Sequence, residues 1–385
     1  MKTKSIEGRD EIRGNQIGNS GSVRGNKITQ LVAFSMILLL AFGTGCKKND
    51  DMTSSTTING TDAMKMHGFN VHGFTQTNLV SDVAEYNPAH IDTNLVNAWG
   101  LAFGATGIPW VNAADKGLSA VYDITGATLR PAVNIPFGSD PNGGNPTGIV
   151  FNSTTDFNGS HFIFATENGS IAAWTSGNDA VQMADRSTFG AEYKGLAMAQ
   201  NAGANYLYAT NFKSGGIDVF DASFGHVDMT FLDPGIPADY GPFGIANIDG
   251  KLYITYAKRL APDNEDDEAG PGNGYVSVFN PDGSFVSRFA TQGALNSPWG
   301  IAKVPAQNNQ VETILIGNFG DGHINSFSTT GSSMGQLLHG NQAVEIEGLW
   351  ALSFAPNATA DDFKLYFTAG PDGEEHGVFG VLSRE

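Results

Sequence analysis

"LNSPWGIA", residues 295–302, is one of six versions of a single phrase, and its recurrence decides the fold. The others are "LVNAWGLA" (95–102), "NPTGIV" (145–150), "YKGLAM" (193–198), "GPFGIA" (241–246) and "EGLWALSF" (347–354). Taking the small residue after the variable position as a marker gives Gly100, Gly148, Gly195, Gly244, Gly300 and Ala351. Their spacings of 48, 47, 49, 56 and 51 residues lie in the range of four-stranded propeller blades.

Each unit repeats one inner grammar. The marker strand is followed by an apolar run that ends in small polar residues, as in "FIFATENGS" and "TILIGNFGDG". An alternating strand comes next ("SIAAWT", "GIDVFD", "YVSVFN"), then a turn and a fourth strand, as in "NPDGSFVSRFA", where Asp-Gly signals a hairpin. Beyond residue 46 no run carries helical periodicity. The expected fold is therefore all-β: a six-bladed β-propeller with four strands per blade.

The sixth unit stops after its third strand, at "HGVFGVLSRE", which would leave an exposed edge. The stretch "GFTQTNLVSD" (73–82), ahead of the first unit, resembles a fourth strand. The N-terminal strand is thus expected to complete the last blade and lock the ring. The domain boundaries read as 1–46 signal peptide, 47–72 tether and 73–385 propeller.

Composition narrows the function. The net charge is −18, and residues 1–46 hold six Lys/Arg against three acids, so the remainder is more acidic still. Such a surface argues against nucleic-acid partners, which require clustered basic residues. The single cysteine, Cys46, closes "ITQLVAFSMILLLAFGTGC", a short apolar run after Lys27 that reads as an export signal rather than a span. Gly45-Cys46 resembles a bacterial lipobox, with Gly43 departing from the usual Leu. The expectation is a lipidated Cys46, a polar tether, and placement in the bacterial envelope, at the outer membrane, with the membrane met through the lipid alone. With one thiol no intrachain disulfide can form.

The set "NAWGLAF", "FIFATENGSIAAW", "YKGLA", "GPGNGYVSVF", "LNSPWGIA", "GNFGDGHINSF" and "LYFTAGPDGEEHG" resembles an uncharacterised family of exported bacterial six-bladed propeller proteins, over about residues 73–380. The resemblance implies fold and export and brings no activity. More distantly, at fold level, the chain is similar to metal-dependent lactonase and esterase propellers.

In a propeller the repeated phrase and the polar clusters share one face. Asn112, Glu167, Asn211 and Asn318 stand where oxygen ligands for calcium or magnesium would aim at the axis; equally, Asn and Glu at strand ends cap backbone groups. Tyr256 and Ala369 hold the equivalent places in two blades. No zinc spacing, no G-x-S-x-G elbow and no phosphate loop occurs. His323 and His376, beside Asp321 and Glu375, are candidate general bases or turn histidines. Trp99, Trp299 and Trp350 either stack on a ligand such as a glycan or pack between blades. The fourth unit carries the insertion "AKRLAPDNEDDEAGPGNG" (257–274), with Lys258 and Arg259 at its base, which is either a solvated acidic loop or a binding lid. Two functions follow: an envelope binding module for a glycan or protein, or a metal-dependent hydrolase with its site on the axis.

Overall fold

The computed structural model describes residues 67–306, 310–356, 358 and 363–384; the signal peptide, Cys46 and the tether up to residue 66 lie outside the described residues. Six antiparallel four-stranded blades form a ring. Five are continuous in sequence, spanning 98–134, 146–185, 193–227, 240–291 and 298–336. The sixth joins three C-terminal strands, Leu349–Phe354, Lys364–Ala369 and Val378–Arg384, to Phe74–Ser81.

The closure reads as the sequence implied. Phe74 pairs with Arg384 and Ser81 with Val378 across an antiparallel ladder. A two-residue strand, His90–Ile91, adds in parallel to Val80 and Ser81 and covers the new outer edge. Packing extends upstream of Gly73: Phe69 is buried against Phe74 and Phe363, with the Arg384 guanidinium 4.8 Å from the Phe69 ring centre. A buried aromatic group of this size holds the closing strand with its own apolar area.

The hydrophobic core lies between blades. Trp110 of the first blade stacks on Phe162 of the second at 4.0 Å, and Phe289 of the fourth meets Phe327 of the fifth at 5.6 Å. Period-two alternation supplies both faces of every blade, because each blade is covered on both sides by its neighbours.

The six phrases are the six inner strands, and each carries a β-bulge at the marker. The pairing register slips between Ala98 and Leu101, Pro146 and Ile149, Tyr193 and Gly195, Pro242 and Ile245, Pro298 and Gly300, and Leu349 and Leu352. A bulge bends the strand and re-aims its side chain. The glycine follows from crowding by the next blade. A Cβ on Gly100 would lie 2.1 Å from the Thr147 carbonyl oxygen, and one on Gly244 2.0 Å from that of Trp299.

Candidate functional site

The start of each inner strand pairs with the end of the second strand, as in Ala98 with Ala113 and Pro298 with Asn318. The phrase and the polar clusters therefore do share one face, and the bulge residue of each blade points inward there. Trp99, Phe243 and Trp350 are buried to 1 % exposure. Trp99 stacks on Trp350 at 3.7 Å, Phe319 stacks on its other side at 3.9 Å, and Phe243 and Trp299 meet Trp350 edge-on at 5.7 and 5.9 Å. Residues from four blades thus fill the axis with a tight aromatic plug. Trp99 and Trp350 have no free ring face for a sugar; their area is spent on one another.

Lys194 is the bulge residue of the third blade, standing where three other phrases carry tryptophan. It is 4 % exposed, 2.5 Å from Glu167 and 2.8 Å from Glu192, with its ammonium 5.4 Å from the Trp99 ring centre. Burial works against its charge, yet the two carboxylates hold it above the ordinary lysine range. Trp299 donates its indole N–H across the axis to the Lys194 carbonyl at 3.0 Å. Beside this group Asn97 donates to Glu374 at 2.6 Å and accepts from the Trp350 indole at 3.0 Å. Burial pushes the Glu374 carboxyl up to about 7, with the nearby Glu167 charge adding to the shift. Burial also raises Asp115 and Asp267.

The insertion of the fourth blade closes over this group. Glu265, Asp266 and Asp267 meet Trp99, Glu167, Lys194 and Glu374 around a void of about 20 Å³, room for a single water. Glu265 is latched to Lys213, Lys258 to Glu268 at 2.7 Å, and the Arg259 guanidinium donates to the carbonyls of Lys213 and Ala238 at 2.8 and 2.5 Å. Lys258 and Arg259 therefore tie down the base of the loop.

The four residues named as metal ligands each have protein partners, although Oδ1 of Asn112 and Oδ1 of Asn318 are buried without one. Asn112 donates to the Thr147 carbonyl of the next blade at 2.9 Å. It belongs to a set of stitches between blades: Thr147 to the Tyr193 carbonyl, Thr210 to that of Phe243, and Thr368 to that of Trp99. Asn211 accepts from the Glu192 and Ser214 N–H groups and donates to Asp218. Asn318 donates to Ala294 and Asp321 within its own corner of the ring. Glu167 is held by Lys194. Among the described residues no three His, Cys, Asp or Glu side chains gather closely enough to hold a metal ion. The two histidines are not brought together as one pair. His323 lies 3.5 Å from Asp321, while His376 bonds Asp82 at 2.8 Å, and that bond raises it above the ordinary histidine range.

What the sequence reading missed lies on the opposite face. There the axis opens into a cavity of about 440 Å³, with Trp299 as its floor. Its wall comes from the residues that follow each marker, among them Leu101, Ile149, Leu196, Ile245, Ile301 and Leu352. Among the described residues no Asp, Glu, Lys, Arg or His lines it. The signal was present in the apolar halves "GLAF", "GIVF", "GLAM" and "GIA", which read as ordinary strand.

Two uncharacterised proteins of Acanthamoeba polyphaga mimivirus are similar to the chain. One is 34% identical over 324 residues, covering 77% of this chain and 82% of the relative. The second is 32% identical over 320 residues, covering 77% of each. These relatives are viral, where the resemblance in the sequence implied a bacterial family. Among solved structures, a gluconolactonase-like protein superposes with a TM-score of 0.50 at 13% identity, covering 85% of this chain and 97% of its own. At that identity the likeness is one of fold alone. No protein-family model matches the chain.

Proposed function

The chain belongs to the family of these two mimivirus proteins, and from that premise we propose that it is a binding module rather than a hydrolase, with its ligand seated in the axial cavity above Trp299. One observation carries the reading: among the described residues, no titratable side chain lines the large open space on the axis. Acid–base and nucleophilic catalysis both need such a group within hydrogen-bond reach. A volume of about 440 Å³ is in the ordinary range of small-molecule sites. The charged groups sit on the other side of the plug, where Lys194 pairs with both Glu167 and Glu192.

The setting of the module rests on the N-terminal sequence. An exported chain lipidated at Cys46 would hold the propeller at an envelope surface, where a glycan, a protein or a small molecule is met. The ion pair to Glu167 weakens the metal-dependent alternative, in which calcium or magnesium would activate water.

The test is a thermal-shift screen of purified protein, run beside ester and lactone turnover assays and elemental analysis. A ligand at 100 times its Kd stabilises by about 2.7 kcal/mol, which is a rise of about 4 °C for a ring of this size. The expected result is such a shift without turnover. Stoichiometric metal that is lost in Glu167→Ala, together with lactone or ester hydrolysis, would overturn the reading.

A further inference from the structure

Resting on that reading, we propose that the axial cavity selects an uncharged small molecule with several hydrogen-bonding groups and rejects charged analogues of the same shape. The chain has 39 acidic and 21 basic residues, yet none of the described ones lines this cavity. Its side-chain polar groups are already engaged. Asn247 donates to the Met198 carbonyl at 2.9 Å and accepts from the Gly250 N–H at 3.1 Å. Ser353 donates to the Phe354 carbonyl at 3.3 Å. Trp299 has its N–H committed to Lys194, so it presents only ring surface. At the adjoining rim Lys303 is paired with Asp249 and Glu312 at 2.5 and 3.1 Å.

Two consequences follow. A charged ligand would lose its hydration and find no opposite charge among the described wall residues, which is costly. An uncharged ligand meets ring and aliphatic surface from Trp299, Met198, Ile301 and Phe354. Its polar atoms are served by the main chain, because each inner strand is the edge of its blade and is hydrogen-bonded within the sheet on one side only. The cavity is therefore matched to a compact uncharged body whose hydrogen-bonding groups meet the main chain.

The experiment compares two fluorescent probes of one ring skeleton on the full chain. N-phenyl-1-naphthylamine is neutral; 8-anilino-1-naphthalenesulfonate adds one sulfonate. The expected result is one-site binding of the neutral probe, with the sulfonate at least tenfold weaker. Met198→Trp, which fills the cavity, and Ile301→Asp, which charges its wall, should each weaken the neutral probe at least tenfold. Two substitutions guard against one failing to fold, and circular dichroism checks each. Glu374→Gln, across the plug, should leave probe binding unchanged. Equal affinity of the two probes overturns the inference, as does neutral-probe binding that survives both cavity variants. So does a self-associated state in which a second copy occupies the cavity and excludes the probe. If the cavity variants change nothing while another ligand still raises the melting temperature without turnover, the binding reading stands and this ligand class falls. Turnover would sink the binding reading itself.

Discussion

Gly244→Ala tests the claim that the recurring small residue exists because the next blade leaves no room. The added Cβ would lie 2.0 Å from the Trp299 carbonyl oxygen, 2.9 Å from its carbon and 3.0 Å from Thr255 Oγ1. The first two are backbone atoms of a neighbouring inner strand, so no rotamer change relieves them. The strands must part by about 1 Å or more to reach ordinary contact. Overpacking of this kind costs about 1–3 kcal/mol, and more where backbone must move. The same shift strains the 2.8 Å bond from the Gly244 N–H to Thr255 Oγ1, which adds about 1 kcal/mol. The expected loss is about 3–5 kcal/mol. With about 2.1 cal/mol/K of unfolding entropy per residue over roughly 310 residues, that lowers the melting temperature by about 5–8 °C. The control is Gly216→Ala, whose nearest atom would be Ser214 Oγ at 3.6 Å and whose φ is not in the left-handed region. There the change should be neutral or mildly stabilising. Calorimetry on the two variants decides the matter. A Gly244→Ala protein that melts within a degree of the parent refutes the crowding argument.

Two further outcomes concern pH. Glu374 has a folded-state pKa of about 7, above its unfolded value near 4.5, so the native state holds its proton more tightly. Its stabilising contribution is present at low pH and is lost as pH rises from about 4.5 to 7. Glu374→Gln keeps an acceptor for Asn97 and should raise the melting temperature at pH 8 with no gain at pH 4.5; an equal effect at both values refutes the assignment. His376 is raised by its bond to Asp82. That contribution is full below the unfolded histidine pKa and fades as pH climbs through the folded one. Asp82→Asn should lower the His376 midpoint in an NMR titration and remove that pH dependence, because the carboxylate charge that favours the imidazolium is gone. An unchanged midpoint would show that the pair is not coupled.

The blades were legible because their signals are local. A marker every 47 to 56 residues, an alternating third strand and a turn such as Asp-Gly each belong to one stretch of chain. The closing strand was legible from an arithmetic of edges: one unit lacked a strand and one strand lacked a unit. The site was harder. Asn112, Asn211 and Asn318 look alike in sequence, yet one stitches two blades and the others hold the ring's corners, and only the bulge geometry decides which. Likewise nothing in "YKGLAM" says that Lys194 will meet Glu167, 27 residues upstream, and a tryptophan carried by another blade. Contacts made across the axis depend on six strands at once, which no single window contains.

The phrase nonetheless divides at its marker. The residue before it is turned inward by the bulge and becomes plug: Trp99, Lys194, Phe243, Trp299 and Trp350 are packed against one another or against charge. The residues after it form the wall of the open cavity. Substitutions before the marker should therefore register as stability, and substitutions after it as binding. Trp299 is the exception that belongs to both halves. Its ring is the cavity floor, and its N–H holds the Lys194 backbone beneath the acidic lid. Trp299→Phe keeps the ring surface and removes the donor. It should leave probe affinity within about threefold while costing about 1–3 kcal/mol for the buried carbonyl left unpaired. A large loss of affinity with unchanged stability would reverse the roles assigned to the two halves.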